Sequence, residues 1–421
     1  MRQKAGRSAA TATALRQSIM AAMSSLSLAD VLHQAPKNFT FLQYGSSLNV
    51  LLVTNTGLRD LVQQYVTHIK FPDQSHIHTF AEDRWPNLQR VSFKSVQDAS
   101  AVAGPSLGGW QMSRMEATFA KLDLDAILAL RIDMWPWQRL TDLAVSFKYG
   151  MPVDLHILST CQWPLLESLT LRCGSLDDAQ ASLIFRADWP LLRNLRLPYN
   201  CLMDLEGVEH NRWPELRLVC LRDNPVSNTG LQRLVSAQWP KLTSLHLNYI
   251  GSLVDRPTLT WHQLIEANWP MLSNLQLRGS RIKAITMTNI VEACFSSIRS
   301  LNLSDNSLDS VAIGHLVKGP WLQLCDLQLN KSLCGCIAYC LVLLSTGAWP
   351  QLKFLWLRES KVDVTALPAL AKSKWPSLYY LDLSHNCLSR HTFRLMGGDA
   401  ACYEPRDICR HVWPKLHTLK Y

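Results

Sequence analysis

The chain lacks any apolar run approaching the roughly 18 residues that a membrane span needs. Its longest, such as Cys340-Leu-Val-Leu-Leu344, suits a buried helix. It also lacks a lysine-rich block or basic helix. Its 42 Lys and Arg against 33 Asp and Glu are therefore spread out rather than gathered into a nucleic-acid footprint, and no nucleic acid is expected as partner. No phosphate-cradling glycine loop, nucleophile elbow or metalloprotease helix occurs. Cys334-Gly-Cys336-Ile-Ala-Tyr-Cys340 offers three thiolates where a structural zinc site wants four ligands. Cys336 and Cys340 share a helical face and are expected as buried helix cysteines. No catalytic residue, metal or cofactor is expected, and the protein is not expected to be an enzyme. The N-terminus has no apolar signal core, so the 12 cysteines read as free thiols in a reducing, cytoplasmic setting. One absence points elsewhere: no acid precedes Asp30, while Arg2, Lys4, Arg7 and Arg16 stand among Ala, Ser and Thr. Residues 1–29 read as a disordered or targeting-like leader, with an organelle as the alternative compartment.

What the chain has is a period. An aromatic residue, nearly always Trp followed by Pro, recurs at 163, 189, 213, 239, 269, 295, 321, 349, 375 and 413. Six residues after it comes an apolar-x-apolar pair, as in Leu169-Thr-Leu171 and Leu381-Asp-Leu383. Residues one apart share a side of a strand, so both leucines point inward. Five residues before each aromatic stands an aliphatic, among them Ile184, Val208, Leu234, Leu264, Ile290, Leu316, Leu344 and Leu370. The spacing around it is helical, as in Leu231, Leu234 and Val235. Each unit reads as strand, turn, helix and Trp-Pro, and units repeated at a fixed period stack into a solenoid. The Trp row is expected as a core ladder rather than a ligand platform. Asp177 and Asp178 read as charges at a helix start.

The run Ile298-Arg-Ser-Leu301-Asn-Leu303-Ser-Asp-Asn306-Ser-Leu308 resembles the leucine-rich repeat, and the unit length resembles its ribonuclease-inhibitor-like subclass. The resemblance covers residues 80–421 and implies an α/β horseshoe, with parallel strands on the concave face and helices on the convex one. It also implies a ladder of buried Asn, present here as Asn200, Asn224, Asn306 and Asn386. Gly174, Ile250, Ser280, Ser332 and Ser360 replace it elsewhere, where looser coils are expected.

Residues 30–79 depart from the repeat and read as a helical N-terminal cap of the kind solenoids require, with Val66–Phe71 a candidate first strand. Within this segment, Leu58-Arg59-Asp60-Leu61-Val62 resembles the second half of an F-box, although Leu58 replaces its Trp and the Leu-Pro start is absent. That resemblance implies a Skp-type adaptor held by Leu52, Val53, Leu58, Leu61 and Val62, and a substrate receptor for a cullin-type ubiquitin ligase. A regulator of a GTPase is a further alternative, without the acidic tail usual in that group. At the other end, Trp413 to Tyr421 begins one more strand, expected to present an open edge.

Residues flanking the buried leucines face the concave side. After the second leucine come Arg172, Pro198, Arg222, Asn248, Arg278, Ser304, Asn330, Arg358 and Ser384, with no acid among them. Arg196 and Trp356 lie between leucines, and Phe354 and Tyr380 just before them. This predicts a face basic in its first half and aromatic near 354–380. Arginine forks and aromatic rings are the usual anchors of protein interfaces. The leading expectation is a non-catalytic scaffold whose concave face binds a protein partner, acidic or phosphorylated.

Overall fold

In the computed structural model one open parallel sheet follows the chain in strict order. It begins with β1 (His68–Phe71), β2 (Arg90–Val96), β3 (Arg114–Phe119) and β4 (Asp142–Phe147). It continues through β5 (Ser168–Arg172), β6 (Asn194–Arg196), β7 (Leu218–Cys220), β8 (Ser244–His246) and β9 (Asn274–Gln276). The last five are β10 (Ser300–Asn302), β11 (Asp326–Gln328), β12 (Phe354–Trp356), β13 (Tyr380–Asp382) and β14 (Thr418–Lys420). The structure describes the first three strands, then residues 140–147, 163–172, 176–388 apart from 212, 238, 251–258, 260, 294, 364 and 365, and finally 412–421. The adaptor-binding candidates Leu52, Val53, Leu58, Leu61 and Val62 lie outside the described residues, as does the leader.

Register follows from burial. Leu245, Leu275, Leu301, Leu327, Leu355 and Leu381 stand directly opposite one another, strand to strand, and all are inaccessible to solvent. A slip of one residue would turn this whole row outward, so the apolar pattern fixes the pairing.

The return path runs through α1 (Asp178–Phe185), α2 (Asn228–Ser236), α3 (Ala284–Glu292), α4 (Ser310–Leu316), α5 (Ile337–Ser345) and α6 (Leu367–Leu370). Two coils depart from the expected helix and carry 3₁₀ turns, Val208–His210 and His262–Glu266. The first lies in the shortest coil, 24 residues from Trp189 to Trp213, which leaves too little chain for full α-turns. The second is entered through Trp261, buried in a left-handed conformation. In both, the aliphatic of the repeat, Val208 or Leu264, still reaches the core. Asp177 caps α1 in a capping box with Gln180. Asp178 does something the sequence did not suggest: its carboxylate accepts backbone N–H bonds from Met203, Asp204 and Leu205, tying α1 to the next coil.

The Trp row is core, as expected. Trp163–Trp189–Trp213, Trp269–Phe295 and Trp349–Trp375–Trp413 stack with centroids 5.9–6.4 Å apart and planes within 17°. Several indoles are hydrogen-bonded across coils, such as Trp213 Nε1 to the Ala187 carbonyl at 3.1 Å and Trp375 Nε1 to that of Gly347 at 3.1 Å. The following Pro is more than a helix stop. Leu192 N–H donates to the Trp189 carbonyl at 3.0 Å and Leu378 to that of Trp375 at 3.1 Å, so Trp-Pro-x-Leu is a β-turn with Pro at its second position. Ring spacing of about 6 Å lies between the ~4.8 Å of paired strands and the ~8–10 Å of packed helices. Three layers of increasing spacing bend the stack, with the strands on the inside of the arc. The fold is a leucine-rich-repeat solenoid.

The polar ladder corrects one expectation. Asn224 donates to the carbonyls of Leu197 and Leu221 at 2.8 and 2.9 Å, and accepts from Leu202 N–H at 3.2 Å. The serine coils are not looser, because Ser280, Ser332 and Ser360 each donate Oγ–H to the previous coil's carbonyl, at 2.7, 2.6 and 3.0 Å. At Ser332 the missing acceptor is supplied by its own backbone carbonyl, which takes the Leu308 N–H at 2.7 Å. The cysteine expectation is also corrected. Cys340 is buried, and burial pushes its thiol up to about 11, but Cys336 is the exposed N-cap of α5 rather than a core residue. The α5 helix starts one residue after Cys336, which leaves its side chain outside the packed turn.

Candidate protein-binding face on the strands

Because the leucines point inward, every second strand residue is left on the inner surface. Three rows result: one before the first leucine, one between the leucines and one after the second. The candidates named from the sequence distribute over all three. Phe354 and Tyr380 lie in the first row, Arg196 and Trp356 in the second, and Arg172, Arg222, Arg278 and Arg358 in the third.

The structure adds a fourth row that the sequence reading missed. Immediately after the third row the chain turns through a left-handed residue: Tyr199, Asp223, Tyr249, Gly279, Asp305, Lys331, Glu359 and His385, with φ of 53–64°. The parallel hydrogen bonds continue through this turn, with Tyr199 N–H to the Arg222 carbonyl and Asp305 N–H to that of Asn330. Left-handed backbone costs about 1–2 kcal/mol per non-glycine residue, and the repeat accepts this to turn the chain at the strand ends. The signal was present: these residues follow the second leucine by two in every coil, so a scan at the repeat period would have collected them.

Third and fourth rows interleave. The Arg172 guanidinium lies 4.2 Å from the Tyr199 ring centre, Arg222 lies 5.3 Å from Tyr199 and 5.6 Å from Tyr249, and Arg278 lies 5.6 Å from Tyr249. Tyr249 Oη donates to Asp305 Oδ2 at 2.8 Å, and Arg278 Nε to the same oxygen at 2.6 Å. The result is an arginine–tyrosine rail from β5 to the turn after β10. Partial burial opposes charge on Asp305, but the Arg278 and Tyr249 hydrogen bonds outweigh it and hold the carboxyl below the ordinary value. Partial burial and the bond to Asp305 raise the Tyr249 phenol. Gly279 is required here. A Cβ at this position would stand 2.3 Å from two carbons of the Tyr249 ring.

The expectation of a basic first half changes with these distances. Arg222 pairs with Asp223 at 2.7 Å, Arg278 with Asp305 at 2.6 Å and Arg358 with Glu359 at 3.2 Å, where Lys331 also bonds Glu359 at 2.9 Å. Their charge is largely answered from within. The sequence reading counted no acid in the third row, and the acids stand one residue later, brought alongside by the turn. Among the described residues of the face, Arg172 and Arg196 make no ion pair. Nearby His246 is kept neutral, first by burial and then by the Arg196 charge, which lower its pKa.

From β9 to β11 the face is an amide track. Asn302 donates to Gln276 at 2.9 Å, and Gln276 to Asn274 at 2.6 Å. Asp326 closes it, accepting from Ser300 at 3.2 Å, Gln328 at 2.9 Å and Trp356 Nε1 at 2.9 Å. Beyond it lies an aromatic cluster. The Trp356 and Tyr380 rings are 4.5 Å apart, Phe354 and Tyr380 6.2 Å, and Lys420 Nζ stands 5.5 Å from the Tyr380 ring. Phe354 is 36% exposed and packs edge-on against Tyr379, with ring centres 6.4 Å apart. Phe354, Trp356 and Tyr380 are therefore brought together, whereas the arginines are strung along the rail.

No family model matches the chain, and no curated protein does. Its structure is similar to that of an internalin from Listeria monocytogenes, at 14% identity over 90% of this chain and 94% of that one, with a TM-score of 0.46. It is also similar to a structure of the yeast Rad7 and Elc1 complex, at 13% identity over 99% and 92% with a TM-score of 0.37. A leucine-rich-repeat protein of Leptospira interrogans is 14% identical over 87% and 98%, with a TM-score of 0.38. Likenesses at these values carry no argument about what this chain binds. Among the described residues no group of three or more His, Cys, Asp or Glu is placed to hold a metal ion, and no helix is long and apolar enough to cross a membrane.

Proposed function

We propose that this protein is a non-catalytic scaffold that holds a protein partner on the inner, strand side of its solenoid. The observation that carries the reading is the contrast between the face's internally bonded rows and its two unsatisfied features. Among the described residues Arg172 and Arg196 lack counter-ions, and Phe354, Trp356 and Tyr380 form a partly exposed aromatic group. Such groups are what interfaces use as anchors. The bonded rows supply a rigid floor. Nucleic acid fits less well, because guanidinium groups already lie on the tyrosine rings that bases would need for stacking.

The test is recovery of partners from native lysate, quantified for the full chain and two charge-reversed variants. Arg172→Glu with Arg196→Glu is expected to lose the specific partner, while Arg186→Glu with Lys283→Glu, on the helix side, retains it. Equal recovery by both variants refutes the reading. The adaptor alternative rests on Leu52, Val53, Leu58, Leu61 and Val62; Leu58→Asp with Leu61→Asp in the full chain removes a Skp-type adaptor if that reading holds. The GTPase-regulator alternative gains no residue from the strand face.

A further inference from the structure

Between its two unsatisfied features the inner face has little left to offer a ligand. Arg222 and Arg278 of the rail, and Arg358 beyond it, are paired to carboxylates, and the amides from Asn274 to Gln328 bond to one another and to Asp326. A partner gains most by reaching both ends at once. Six strand spacings separate Arg196 on β6 from Trp356 on β12, roughly 29 Å along the inner face at ~4.8 Å per spacing. An extended peptide covers this in about nine residues at ~3.3 Å each.

We infer that the face takes one extended, two-anchor peptide segment. An acidic group lies on Arg172 and Arg196, and a large apolar side chain, about nine residues away in sequence, lies against Phe354, Trp356 and Tyr380. The inference rests on the scaffold reading and adds the chemistry and length of what is held. Charge complementarity selects the first anchor: two guanidinium groups on adjacent strands, one of them already set by its contact with Tyr199, match a pair of carboxylates. The second anchor is selected by shape. Trp356 is fixed through Nε1 to Asp326 and Tyr380 through Oη to Asp382 at 3.1 Å, so the cluster is a rigid apolar platform with a polar border. Both anchors are side-chain sites, so either chain direction satisfies them.

Fluorescein-labelled synthetic peptides test this on the full chain by anisotropy. Each carries a Glu-Glu-Glu block and a Trp-Leu block joined by a Gly-Ser spacer of about nine or about three residues. The nine-residue spacer is expected to bind about a hundredfold more tightly than the three-residue one, because only the longer lets the second anchor bind intramolecularly. Arg172→Glu with Arg196→Glu, and separately Trp356→Ala with Tyr380→Ala, should each remove that advantage, while both variants keep the thermal transition of the unchanged chain. Equal affinity for both spacers overturns the two-anchor inference, and so does failure of every peptide to bind. If the arginine variant nevertheless loses the lysate partner in either case, the scaffold reading stands without it.

Discussion

The two ends of the inner face are built on the same coil and solve different problems. Along the rail from β5 to the turn after β10 the side chains carry charge, and the structure silences most of that charge with its own acids and rings. On β12 and β13 they are aromatic, and the structure braces them but leaves them partly exposed. One end is a stiffened rail with a live tip at Arg172 and Arg196; the other is a partly exposed platform. The difference teaches that residue type alone is a poor guide to a binding surface. Arg278 looks as useful as Arg196 in the sequence, and only the position of Asp305 separates them.

That comparison can be broken from underneath. Trp189→Ala and Trp375→Ala remove the same buried ring beneath either end and are expected to destabilise the fold by about 3–5 kcal/mol each, read by denaturant unfolding. A large difference between them would mean that the two ends do not share one scaffold. Next in size, Trp356→Ala is expected to weaken partner binding by about 2 kcal/mol or more with little change in melting temperature, whereas Arg278→Ala leaves binding nearly unchanged; calorimetric titration distinguishes them. Gly279→Ala should destabilise by about 1–2 kcal/mol and displace Tyr249, visible as altered near-ultraviolet circular dichroism. The smallest effect is Asp305→Asn, expected to cost under about 1 kcal/mol at neutral pH for a partly exposed pair. Its folded pKa is depressed, so its contribution is fully present above the ordinary carboxylate value and is lost as pH falls below it. The gap in melting temperature between the unchanged chain and Asp305→Asn should therefore close on acidification.

The sheet, its register and its buried rows were legible because one constraint repeats: Leu245, Leu275 and Leu301 must all face inward, and period and parity carry that directly. The placing of Phe354, Trp356 and Tyr380 on one face was legible for the same reason. What escaped depends on backbone angle rather than on residue alternation. A left-handed turn carries Asp223 beside Arg222 and Glu359 beside Arg358, although adjacent residues in a strand point apart. The serine substitutions escaped because a hydroxyl can make the one hydrogen bond that matters most to the previous coil, and at Ser332 the backbone makes the other. Asp178 escaped because its bonding partners lie a full coil ahead.

The stacked indoles set more than stability. Where the rings stack they act as shims of fixed thickness between coils, and the parallel strand pairing makes distance along the inner face a matter of counting. Adding one coil between β6 and β12 would move the acidic anchor from the apolar one by a single strand spacing, about 4.8 Å. The protein thereby measures a ligand in whole coils, as a ruler measures in whole divisions.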